Sequence, residues 1–164
     1  MAFSSRIRRP ALIGALIVLA LGVASGSLTE SGPNSWYAAL DKPALTPPGW
    51  AFGVVWPILY LLIGSAAGLI WAAPESPLRR RALFWFAVQF ALNLAWTPVY
   101  FGLHQIALAL GIVLALNVAA ITATVRMGAV RSLAAWLMVP YLVWIAFAAV
   151  LNLRVWQLNP PAPI

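Results

Sequence analysis

Apolar residues run along this chain in long unbroken blocks, not in alternation. Five windows carry no charge: Ala11 to Leu28, Trp50 to Ala73, Ala82 to Phe101, Ile106 to Val125, and Leu133 to Leu153. Each is long enough to cross about 30 Å of hydrocarbon at roughly 1.5 Å per residue. A membrane span must satisfy its own backbone hydrogen bonds, which leaves helices or a closed barrel, and the alternation of a barrel is absent. The pattern predicts an all-α membrane protein, a five-transmembrane-helix bundle forming a single domain over residues 1–164. One segment breaks the rhythm. Residues 29–49, between the first two windows, hold Trp36-Tyr37, Leu40-Asp41-Lys42-Pro43 and Thr46-Pro47-Pro48-Gly49-Trp50. Prolines and aromatics make this loop too stiff for a flexible linker, and a short polar turn would have sufficed. It reads as a lid over the mouth of the bundle, and a lid implies a ligand.

Composition agrees with a lipid solvent. The chain is 63% hydrophobic and 8% charged, against roughly 25% charged in a soluble domain. The charges that remain set an orientation. Arg6, Arg8 and Arg9, then Arg79, Arg80 and Arg81, then Arg126 and Arg131 fall on one side of five alternating spans; Lys42 and Arg154 fall on the other. The positive-inside rule predicts a cytoplasmic N-terminus and an external lid. The net charge of +7 is therefore topological, and nucleic acid is not an expected partner. An alternative makes the first window a signal peptide, since Arg6-Ile7-Arg8-Arg9 precedes an apolar run ending near Ala24-Ser25-Gly26. Its removal would leave four spans with the charge bias intact.

Several polar and aromatic residues inside the windows fall at helical spacing. Gln89, Asn93, Trp96 and Tyr100 form one stripe on the third span. Tyr141, Trp144, Ala148 and Asn152 form another on the fifth, and Trp56 and Tyr60 share a face of the second. Amides facing lipid are costly, so these stripes should face the interior. Interhelical hydrogen bonding and ligand contact are both open for Gln89, Asn93 and Asn152. Trp36, Trp50 and Trp71 lie near span ends, where interface belts place tryptophan. Trp56, Trp96 and Trp144 lie deeper, and would form either a flat apolar pocket with polar anchors or a tight aromatic core. Pro57, Pro98 and Pro140 are expected to kink their helices. Gly22 with Gly26, Gly64 with Gly68, and Ala87, Ala91 and Ala95 mark sites of close helix approach, mostly within one chain.

The chemistry that is missing narrows the function further. There is no cysteine, hence no disulfide, thiol nucleophile or thiolate site. The only acids are Glu30, Asp41 and Glu75, all in predicted loops. Ion-coupled transport usually uses an acid buried in the membrane. His104 follows the third span alone, with no neighbouring ligand for a metal. No nucleophile triad, phosphate loop or dinucleotide motif is present.

The chain resembles the TspO/MBR family of tryptophan-rich sensory proteins, translocator proteins and peripheral-type benzodiazepine receptors. The family pattern W-Y-x-x-L-x-K-P-x-x-x-P-P matches Trp36 to Pro48. V-W-x-x-L-Y matches Val55 to Tyr60, and N-x-x-W-[ST]-P matches Asn93 to Pro98. P-Y-L-x-W matches Pro140 to Trp144, followed by Phe147-Ala148 and Leu151-Asn152. The family keeps its first span, which favours a helix over a cleaved signal. The resemblance implies a bundle that is often a homodimer and binds porphyrin or haem beneath the first loop. The implied ligand-binding residues are Tyr37, Pro47, Trp56, Asn93, Trp96, Trp144 and Ala148; no obligatory cofactor and no metal are implied. Bacterial relatives are implied to degrade protoporphyrin in light through tryptophans matching Trp56 and Trp144. The animal sterol motif is not matched, because Leu153 and Gln157 stand where it has a tyrosine and a basic residue. The animal tryptophan early in the fourth span is also missing, near Ala107. The leading expectation is a binding and sensory protein for porphyrin-like tetrapyrroles in the bacterial cytoplasmic membrane. A light-dependent porphyrin-degrading enzyme and a tetrapyrrole transporter are the alternatives.

Overall fold

A computed structural model describes residues 5–27, 29, 32 and 34–160, with only the backbone of Ser5 and Arg6. The Arg6 side chain, Leu28 at the expected end of the first span, and Glu30 lie outside the described residues. Five long helices appear, each long and apolar enough to cross a membrane. In chain order, α1 is Ser5–Gly26, α2 is a single turn at Trp36–Ala39, and α3 is Gly49–Trp71. Then come α4 at Pro77–Thr97, α5 at Ile106–Gly128 and α6 at Ser132–Leu158.

The helices overrun the charge-free windows at their polar ends, because a helix need not stop where hydrocarbon stops. α4 starts five residues early, where Ser76 caps it by accepting from the Arg79 backbone N–H at 3.2 Å and Pro77 supplies a first-turn residue with no N–H to satisfy. α6 continues past Leu153 through Arg154 and Gln157 to Leu158. The lid is not wholly irregular. Ser35 accepts from the Ala38 N–H at 3.2 Å and caps the turn of α2.

Packing sets the order around the bundle as α1, α3, α6, α5, α4, with α4 returning to touch α1 lightly. α1 and α3 meet backbone to backbone, since a Cβ on Gly64 or Gly68 would strike the main chain around Gly14, Ala15, Pro10 and Ala11. This is the close approach expected of small residues within one chain. Ala87 and Ala91 behave differently and face outward. Ile63, Ile70, Leu116, Met127, Met138 and Ile145 are fully buried between the helices. Leu12, Ile13, Leu16 and Ile17 of α1 and Leu114, Val118, Ile121 and Val125 of α5 are exposed, as side chains meeting lipid would be. The described residues form an integral, multi-pass membrane protein.

Pro57 and Pro140 lie inside α3 and α6. Pro98 does more than bend its helix: from Pro98 to Gly102 the chain widens into a π-helical turn. The Leu103 N–H donates to the Pro98 carbonyl at 2.9 Å, and the Gln105 N–H to the Val99 carbonyl at 3.1 Å. Such turns recur at functional sites. His104 follows in the left-handed region at φ 56°, which histidine tolerates better than most side chains.

Candidate functional site

At the end of the bundle opposite Arg79, Arg80, Arg81, Arg126 and Arg131, the lid covers a cavity of about 790 Å³. Small-molecule pockets run from roughly 300 to 1,000 Å³. All seven residues expected from the family pattern line it. Tyr37 and Pro47 come from the lid, Trp56 from α3, Asn93 and Trp96 from α4, and Trp144 and Ala148 from α6. No carboxylate is among the described lining residues.

The walls are aromatic. Trp56 and Trp144 stand edge to face, with centroids 6.4 Å apart and planes at 88°. Trp56 also stacks on Tyr60 at 5.3 Å, and Phe52 meets Trp144 edge-on at 5.8 Å. Across the cavity, Trp96 stacks on Tyr100 at 4.9 Å and 21°. Tyr100 reaches the lid, 5.8 Å from Trp36 and 6.2 Å from Tyr37. Trp36 packs against the bundle end. It is half-buried, stacked on His104 at 4.3 Å, whereas Trp50 and Trp71 are 72% and 65% exposed, as a belt requires.

Phe52, Tyr60, Tyr100 and Phe101 belong to the cavity, although sequence reasoning did not place them in the site. Phe52, Trp56 and Tyr60 sit at four-residue steps on α3, and that signal was available. Phe101 had none, because the π-helical turn alters the register that a helical stripe assumes.

The buried amides serve the protein first. Tyr60 Oη donates to Asn93 Oδ1 at 3.1 Å, and Asn93 Nδ2 donates to Tyr141 Oη at 3.2 Å. Tyr141 in turn donates to Gln89 Oε1 at 2.8 Å. This chain ties α3, α4 and α6 together immediately below the cavity. Trp96 Nε1 donates to Asn152 Oδ1 at 3.1 Å, and Asn152 Nδ2 to the Ile106 carbonyl at 3.0 Å. Gln89, Asn93 and Asn152 thus take the interhelical option left open by their spacing, and Asn93 and Asn152, which line the cavity, each keep one amide N–H unspent among the described residues.

Other polar groups at the cavity are unspent. Trp144 Nε1 and Thr46 Oγ1 are buried without a partner among the described residues. Lys42 Nζ lies 4.8 Å over the Tyr37 ring and donates to the Ala38 and Leu40 carbonyls at 3.1 and 3.0 Å. Burial pushes the Tyr37 phenol above its usual pKa, so it stays neutral at physiological pH. An indole N–H and an ammonium can only donate. The spare polar capacity of the cavity is therefore weighted toward donors.

The lid is held at two points. The Asp41 N–H donates to Asn159 Oδ1 at 3.0 Å, while Asn159 Nδ2 donates back to the Asp41 carbonyl at 2.9 Å. The second point is the Trp36–His104 stack. His104 is exposed and is not among the lining residues.

Fold and cavity together define a class: multi-pass helical membrane proteins with a lidded, aromatic-walled chamber at one end of the bundle. Sequence comparison gives the family. The chain belongs to the TspO/MBR family, which it matches over residues 14–157. It is 40% identical over 129 residues to protein CrtK of Rhodobacter capsulatus, covering 78% of this chain and 81% of the relative. It is 38% identical over 145 residues to tryptophan-rich protein TspO of Archaeoglobus fulgidus, covering 88% and 93%. To the human translocator protein it is 39% identical over 150 residues, covering 90% and 89%.

Proposed function

We propose that this protein binds and senses porphyrin-like tetrapyrroles, such as haem or protoporphyrin, in the chamber beneath its lid. One observation carries the reading: flat indole and phenol faces surround a large cavity whose unpartnered polar groups, Trp144 Nε1 and Thr46 Oγ1, include a pure donor. A planar macrocycle offers aromatic faces for stacking and acceptor oxygens at its edge. The names of relatives, tryptophan-rich sensory protein and translocator protein, are consistent with a ligand-responsive membrane protein. Quenching of tryptophan fluorescence on titrating protoporphyrin into purified protein tests the proposal. Saturable quenching with a dissociation constant in the micromolar range or below is expected. Quenching that never saturates, or that equals the quenching of free tryptophan, would refute it.

A second reading is favoured by the 6.4 Å separation of Trp56 and Trp144 at the wall. A photo-excited porphyrin held there could oxidise an indole with dioxygen as electron acceptor, needing no side-chain acid or base. Trp56→Phe and Trp144→Phe should then keep protoporphyrin affinity within about tenfold, or 1.4 kcal/mol, and lose most light-dependent product. Equal product with both indoles replaced would leave a binder without chemistry.

A further inference from the structure

We infer that the lid itself contains a carboxylate-recognition subsite, built from Lys42 and Thr46, that makes the chamber selective for ligands carrying a free acid group. The inference rests on the tetrapyrrole reading and adds the part of the ligand that the lid recognises.

Lys42 is the one cation among the described lining residues, and it has no carboxylate partner among the described residues. The nearest acid in sequence, Asp41, is exposed, does not line the cavity, and is engaged through its backbone with Asn159. Two of the three ammonium donors are spent on the Ala38 and Leu40 carbonyls, and the Tyr37 ring lies beneath the charge. These contacts hold a flexible side chain in one place and leave one donor unspent. A lysine fixed at a cavity wall, with no carboxylate among the described lining residues, offers its charge to an anionic guest.

Thr46 supplies the second half. The Thr46 N–H donates to the Pro43 carbonyl at 2.9 Å, closing a turn that presents the side chain to the same cavity. Its hydroxyl is buried and has no partner among the described residues. A buried hydroxyl is costly to leave unpaired, so the site is poised for an acceptor. A carboxylate has two acceptor oxygens and a full negative charge, and it suits an ammonium and a hydroxyl that the lid presents to one cavity. Neutral acceptors such as ester carbonyls would lose the charge-assisted part of that interaction.

The experiment compares protoporphyrin with its dimethyl ester, binding each to the purified full chain in detergent at low ionic strength. Wild type should bind the free acid about tenfold more tightly, and the advantage should shrink as salt rises. Lys42→Met should abolish the preference by weakening the acid about tenfold while leaving the ester within about twofold. Thr46→Val should reduce the preference about threefold, and Lys42→Arg should retain most of it. Lys42→Gln gives a second neutral side chain should Lys42→Met lose its fold. If wild type binds acid and ester alike, or if the preference survives in both neutral variants, the subsite is overturned while the tetrapyrrole reading stands. If neither compound binds saturably, the tetrapyrrole reading fails and the subsite falls with it.

Discussion

Tryptophans and asparagines at this cavity look interchangeable as polar anchors until their partners are counted. Asn93 accepts from Tyr60 and donates to Tyr141, whereas Trp144 Nε1 has no partner among the described residues. Asn93→Leu should therefore lower stability by about 1–3 kcal/mol, because it orphans the buried Tyr60 hydroxyl. Thermal unfolding in detergent checks this, and a change below 0.5 kcal/mol would show that the polar chain is not a tie. Trp144→Phe should have the opposite profile, with melting nearly unchanged and ligand affinity reduced. The helical stripes made both residues legible as inward-facing, because period 3.6 survives in sequence. Which stripe member bonds to protein and which stays free was not legible. That depends on Tyr60 and Tyr141 arriving from other helices at a specific height, and tertiary geometry alone decides it.

The spans were read within a few residues because lipid imposes a long, charge-free window that few other constraints produce. Their overruns were missed for a simple reason: α6 passes Arg154 and Gln157 without breaking, and a charge-free criterion stops short of them. Only the extension brings Asn159 to the lid. Asn159→Ala removes both hydrogen bonds to the Asp41 backbone, worth roughly 0.5–1.5 kcal/mol each. Amide exchange should accelerate across residues 36–48 and remain unchanged in α5. Ligand dissociation should quicken by about three- to tenfold; equal exchange rates in the lid would mean the clasp does not restrain it. The π-helical turn at Pro98–Gly102 was likewise hidden. Proline announces a disturbance, but whether the chain answers with a kink or a wider turn depends on what it packs against.

At the scale of the whole molecule, Arg79, Arg80, Arg81, Arg126 and Arg131 lie at one end of the bundle and the chamber at the other, where Arg154 is the lone arginine among the described residues. The positive-inside rule then predicts an external lid and an external C-terminus. Reporters inserted after Gly32 and at the C-terminus should both read external; a cytoplasmic signal from either would overturn that orientation. Tyr60, Asn93 and Trp144 line the chamber, and from Tyr60 and Asn93 the Tyr60–Asn93–Tyr141–Gln89 chain crosses the bundle. On the other side of that chain from the lid, Ile63, Ile70, Met127 and Met138 are fully buried. The molecule is thus a vessel with a floor. Beneath the lid the chamber ends on this layer of hydrogen bonds and packed side chains. Onward passage would require the floor to part, breaking in sequence the hydrogen bonds that hold α3, α4 and α6 in register. On the tetrapyrrole reading proposed above, a guest held over an intact floor would act on the far side of the bilayer only through movement of the helices it touches.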